Sequence, residues 1–148
     1  MTNNEYINAY KKTQQSSNTE TSSHEIVRTL MKELVNSMQK IVLDIQDDRS
    51  KKIDKFTIYK AQEEKITQNK SKNLSKSLSI IYGLQTSLDF DKALEIANNL
   101  FQLYEYCRQE IIKGFSQKIE DGIIKAIDII KQIMEGWEEI PSLERQDG

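Results

Sequence analysis

The feature that most constrains the fold is a pair of apolar stripes on either side of a short polar break, centred on the stretch Ser79 to Ile112. Leu74, Leu78, Ile81, Leu84 and Leu88 form the first stripe. Phe90, Ala93, Leu94, Ala97, Leu100, Leu103 or Tyr104, Cys107 and Ile111 form the second. Steps of three and four residues place such side chains on one face of an α-helix, whereas a half-buried strand would alternate. Between the stripes, Thr86, Ser87, Asp89 and Asp91 compete for backbone hydrogen bonds and favour a turn, with Asp89 placed to cap the next helix. So short a break folds the second helix back against the first.

Two further stripes complete the pattern. Ser22 and Glu25 have the spacing of a capping box, in which each side chain satisfies the other's backbone amide. Ile26, Leu30, Leu34, Met38, Ile41 and Ile45 then line one helical face, widened by Val27, Val35 and Val42, as far as Gln46-Asp47-Asp48. Near the other end, Ile119, Ile123, Ile127, Ile130, Met134 and Trp137 repeat the spacing, with Ile124, Ala126, Ile129 and Ile133 alongside. The third helix is expected from about Phe90 to Lys113, with Gly114 as its stop. Gly122 and Gly136 fall inside the fourth, where each costs about 1 kcal/mol relative to Ala, so close packing is expected there. Pro141 ends that helix. The pattern predicts an all-α protein, an antiparallel four-helix bundle with a short N-terminal helical arm. Residues 1–22 read as the arm and linker, 23–140 as the bundle and 141–148 as a polar tail. A helical turn over Glu5–Lys12 would put Tyr6, Ile7 and Tyr10 on one side and would need docking to persist. From Arg49 to Asn73, eight cations against three carboxylates give a local charge of +5. Ile53, Phe56, Ile58 and Tyr59 fit no clean stripe there, so this stretch reads as the tip of a hairpin whose second helix is regular from about Lys60.

The inventory of reactive groups excludes most chemistry. A net charge of -2 gives no long-range pull toward nucleic acid, and a basic run without a recognition motif is a solvated face. No apolar run approaches the ~20 residues needed to span a bilayer, so membrane insertion is not expected. The N-terminus lacks the apolar core of a signal peptide, which gives a cytoplasmic address. The one histidine, His24, has no Glu three residues before it, so neither a carboxylate di-metal site nor a zinc site can be assembled. His24 is expected exposed, beside the helix cap. Cys107 is the only cysteine and reads as a small buried thiol. No phosphate loop or Ser/His/Asp constellation is present, so neither an enzyme nor a cofactor is expected. Recognition by surface remains.

Four segments then become familiar. They are Asn8-Ala9-Tyr10, the run from Ser22 to Leu30, the run from Leu84 to Phe90 continued by Glu95–Leu100 and Leu103–Tyr106, and Trp137-Glu138-Glu139-Ile140. In order and approximate spacing they resemble the flagellar secretion chaperone family (FliS), over about Asn8 to Ile140. There are departures. Leu30-Met31-Lys32-Glu33 stands where family members usually carry Leu-Tyr-Asp-Gly, and Ala93-Leu94 stands where a Gly-Gly pair is common. The hairpin between Ser22 and Ile80 is also longer than usual. The resemblance implies that the chain binds the C-terminal segment of flagellin, which is disordered in the free monomer and drives polymerisation. Covering it blocks a head-to-tail, non-closing contact. The flagellar export gate is a further implied contact, and the bundle itself would be a monomer or a weak homo-oligomer. Client helices would lie in apolar grooves on the bundle's outside. The expected client-binding residues are Tyr10, Leu30, Met31, Leu84, Leu88, Phe90, Leu100, Leu103 and Tyr104, with Tyr10 covering a groove in the empty chaperone. Two alternatives stand beside this. One is a helical adaptor or regulator with a changed partner, suggested by Met31-Lys32-Glu33. The other is a self-associating bundle whose extra apolar edges form a homodimer interface.

Overall fold

Each apolar stripe becomes a helix, and the inward faces of the four close one shared core. The computed structural model describes residues 23–50 and 60–138, and the side chains of 24–50 and 68–138. The helices are α1 (Ser23–Ser50), α2 (Lys60–Thr86), α3 (Leu94–Gln117) and α4 (Asp121–Glu138). No strand occurs among the described residues. The arm with Tyr6, Ile7 and Tyr10, the cap Ser22, the tip residues Ile53, Phe56, Ile58 and Tyr59, and the tail lie outside the described residues.

Cross-links between helices fix an antiparallel order. Glu33 and Asp48 of α1 pair with Lys76 and Lys70 of α2, so the two run in opposite directions. Arg28 and Arg49, near the two ends of α1, pair with Glu138 and Glu120 at the two ends of α4. Packing runs around the bundle from α1 to α2, α3, α4 and back to α1, with only light contact across the α1–α3 diagonal. Met31, Leu34 and Met38 of α1, Ile81 and Leu84 of α2, Tyr104 and Ile111 of α3, and Ile123 and Ile130 of α4 are completely removed from solvent. Cys107 joins them; its thiol faces the Ala126 carbonyl, and burial first, then Glu110, pushes its pKa up to about 12. A thiol so held is inert at neutral pH.

The α2–α3 connection follows the predicted turn chemistry, with one shift. The Ser87 and Thr86 hydroxyls bond back to the Gly83 carbonyl and end α2. Asp89 Oδ1 then accepts the backbone N–H groups of Asp91 and Lys92, at 3.1 and 3.2 Å. This caps a separate turn rather than α3 itself, so Phe90 stands in the turn and α3 begins at Leu94. The far end differs too. Gly114 does not stop α3; the helix continues to Gln117, and Lys118 takes the left-handed conformation (φ 58°) with its N–H on the Gly114 carbonyl. Gly114 is needed for another reason: a Cβ there would lie 2.7 Å from the Ile119 carbonyl oxygen and 2.6 Å from Ile123 Cδ1. Gly122 admits the Glu110 carboxylate, whereas Gly136 meets no described neighbour, so close packing accounts for only one of the two α4 glycines.

His24 is a correction. It is buried, not exposed, and closes the end of the bundle with Trp137. The rings stack at 5.1 Å, nearly parallel. His24 Nε2 lies 2.7 Å from the Trp137 carbonyl, which can only accept, so Nε2 carries the proton. The Trp137 indole Nε1 donates in return to the His24 carbonyl at 2.9 Å. The Trp137 carbonyl, in the last turn of α4 where no intrahelical donor reaches it, is thereby satisfied from across the interface, and the His24 carbonyl in the first turn of α1 accepts the indole in addition.

Candidate protein-binding surface

The core face of α3 is complete with Ile96, Ala97, Leu100, Tyr104, Cys107, Ile111 and Gly114. Yet apolar side chains continue on both flanks of that face. Leu94, Phe101 and Ile112 recur at intervals of seven and eleven residues, so they share one line along the helix. This is the flank toward α2, because Gln85 of α2 reaches both the Phe101 carbonyl and the Glu105 carboxylate. Leu94 is 61% exposed, and Phe90 packs edge-to-face on Phe101 with centroids 6.1 Å apart. Tyr82 stands exposed near the end of α2. On the opposite flank, Leu103 and Tyr106 are exposed and lead to Glu110, which covers Gly122 of α4. A cleft of about 340 Å³ continues this flank, lined by Tyr106, Glu110, Lys113, Ile119, Gly122 and Lys125 among others. An amphipathic partner helix needs apolar floor between polar rims, and both flanks provide it.

The α2-side flank is held by a polar network. Arg108 makes a bidentate pair with Glu105, and Gln85 donates to the same carboxylate at 3.1 Å. The Arg108 hydrogen bonds first, then Gln85, hold the Glu105 carboxyl down at about 2, from an ordinary 4.5. A depressed folded pKa contributes stability that is present above the unfolded value and lost as pH falls through the folded one. Urea melts of the wild type should therefore weaken from pH 4.5 toward pH 2 partly through Glu105. Glu105→Gln should show a shallower decline over the same window; an identical decline would remove Glu105 from the acid response.

The structure separates the residues expected from sequence. Met31, Leu84, Leu88, Leu100 and Tyr104 are buried in the core, and Leu30 is half-buried on α1. Phe90 and Leu103 face outward, but on opposite flanks of α3. Tyr10 lies outside the described residues. Leu94, Phe101 and Tyr106 complete the flanks and were not among the expected site residues; their signal was angular displacement from the stripe centre, as with Tyr106 two positions after Tyr104. At the Met31-Lys32-Glu33 departure, Met31 enters the core and Glu33 crosses to Lys76 at 2.7 Å. The charged residue thus serves the α1–α2 seam.

Among the described residues, no cluster of His, Cys, Asp or Glu could hold a metal ion, and no helix is long and apolar enough to cross a membrane. The fold and surface define a helical bundle with apolar flanks on its third helix, suited to holding another protein's segment. Comparison with known proteins agrees: the family described as flagellar protein FliS matches residues 6–144. The chain belongs to that family. The flagellar secretion chaperone FliS of Vibrio cholerae is 32% identical over 72 residues, covering 49% of this chain and 53% of that protein. The protein of the same description from Salmonella typhimurium is 33% identical over 72 residues, with 48% and 53% covered. The chain spans about half the length of these curated relatives. No solved structure matches it.

Proposed function

We propose that this chain is a cytoplasmic flagellar export chaperone that binds the C-terminal segment of flagellin, prevents its premature polymerisation and helps deliver it to the export gate. The observation that carries this reading is the apolar surplus of α3, with Leu94 and Phe101 beside Phe90 on one flank and Leu103 and Tyr106 on the other. Family membership and the names of the two relatives support it. A disordered client segment that folds on binding can straddle α3 and lay one amphipathic stretch on each flank. Its ordering cost limits affinity per unit area, which suits a client that must later be released. In this arrangement Phe90 and Leu103 touch the client directly. Met31, Leu84, Leu88, Leu100 and Tyr104 hold the bundle beneath the flanks, Leu30 offers a separate half-buried contact on α1, and Tyr10 covers a flank until the client displaces it. No catalytic step, metal or cofactor takes part.

The test is titration with a C-terminal flagellin fragment. Leu103→Glu places a charge on apolar floor and should weaken binding by about tenfold or more, with helix content unchanged. Tyr10→Ala should change client affinity while leaving melting intact. Wild-type affinity in Leu103→Glu would refute the α3 site, and in Tyr10→Ala would remove the arm from the mechanism.

A further inference from the structure

A second surface lies on the side of the bundle away from α3. Between α1 and α2 runs an open groove of about 500 Å³, lined by Lys40, Leu43 and Asp44 on one wall and Asn69, Lys72 and Asn73 on the other. Lys76 completes the second wall and is positioned by its ion pair with Glu33. Asn69, Lys72, Asn73 and Lys76 follow steps of three, one and three, so they form one ridge along α2. Leu43 is 62% exposed, an apolar side chain standing among amides and ammonium groups. Lys72 has no ion-pair partner among the described residues, and the three ammonium groups of the groove face two carboxylates, that of Asp44 in the groove and that of Glu33 on Lys76. Three of its four α2 wall residues, Asn69, Lys72 and Asn73, belong to the stretch Arg49–Asn73, which carries +5; with a net charge of -2, the rest of the chain carries -7. Along the sequence, cationic residues are therefore concentrated in the stretch that leads into this wall, and such a concentration steers acidic ligands.

The geometry points to the α1–α2 groove as a docking site for an acidic, amphipathic helical segment of a second protein, separate from the flagellin surface. The two carboxamides of Asn69 and Asn73 can both donate and accept, which matches peptide and side-chain amide groups. Polyphosphate offers acceptors alone and leaves Leu43 uncovered. Acidic residues of the partner meet Lys40 and Lys72, an apolar residue covers Leu43, and Asp44 rejects a carboxylate at one position of the register. Exposed ion pairs of this kind are individually weak, so binding is salt-sensitive and fast to release.

The experiment is an NMR titration of the isotope-labelled full chain with a peptide of about 15 residues built from Glu, Ala and Leu in an amphipathic pattern. A Lys-for-Glu counterpart and a short DNA duplex serve as controls. The acidic peptide should shift the amides of Lys40, Leu43, Lys72 and Asn73, and should bind about tenfold more weakly to Lys40→Glu/Lys72→Glu. Leu43→Ser should weaken it less, and neither variant should alter affinity for the flagellin fragment. The inference is overturned if no shifts occur, if they fall at Leu94 and Leu103 instead, if the charge-reversed variant binds equally well, or if the duplex displaces the peptide.

Discussion

Trp137→Ala should lower unfolding stability by about 3–5 kcal/mol, as for other fully buried aromatic truncations. The substitution removes a side chain that is buried against His24, breaks the indole bond to the His24 carbonyl and leaves that carbonyl without this donor. For a chain of this size each kcal/mol corresponds to about 2–4 °C, so thermal melting should fall by roughly 10 °C or more. Trp137→Phe separates the two contributions: it keeps much of the ring and loses the N–H, and should cost about 1–3 kcal/mol. The closure joins the first turn of α1 to the last turn of α4, the end of the bundle that also presents Phe90 and Leu94. A fall of less than about 3 °C for Trp137→Ala would mean that this end is not held by the pair.

The second large effect is expected at Gly114. Elsewhere in a helix, Gly→Ala gains up to about 1 kcal/mol from propensity alone. At Gly114 the new Cβ would meet a backbone oxygen, that of Ile119, at 2.7 Å, and the Ile123 side chain on its other side. The carbonyl belongs to the turn that Lys118 and Ile119 form by bonding back to Gly114, so it cannot retreat without opening the α3–α4 connection. Overpacking of this kind typically costs about 1–3 kcal/mol and should outweigh the propensity gain, with Gly114→Val worse than Gly114→Ala. Gly122 is the contrast: its obstacle is the Glu110 carboxylate, the far end of a flexible side chain, so Gly122→Ala should be near neutral. Chemical denaturation of the series checks this, and a Gly114→Ala protein as stable as wild type would contradict the close approach.

These positions also show how much could be read from the chain before its structure. Four helices, their antiparallel order and the turn residues Ser87 and Asp89 follow from local rules, because period and hydrogen-bond competition act within a few residues. Gly114 was legible as special but not for the right reason; a glycine that ends a helix and one that admits a neighbouring carbonyl look identical until the α3–α4 register is known. His24 was placed in solvent because its partner, Trp137, is 113 residues away. The proposed surface on α3 was obscured by the same blindness to angle. Leu84, Leu100 and Tyr104 attract attention as the centre of a stripe, and that centrality is why they are buried. Leu94 and Tyr106 sit off-centre, where a sequence alone does not say which edge a neighbouring helix covers. Glu33 stands out in the sequence as part of a departure from the family pattern, and in the structure it is half of the link to Lys76.

The central claim is that α3 carries apolar surface beyond what its own core uses, reserved for a segment that orders on contact. Isothermal calorimetry of the full chain with a C-terminal flagellin fragment, repeated across several temperatures, tests it most directly. The account predicts saturable binding with a strongly negative heat-capacity change, reduced in Leu103→Glu, as apolar flanks and client are buried together. Absence of binding, or binding whose heat does not vary with temperature, would contradict it.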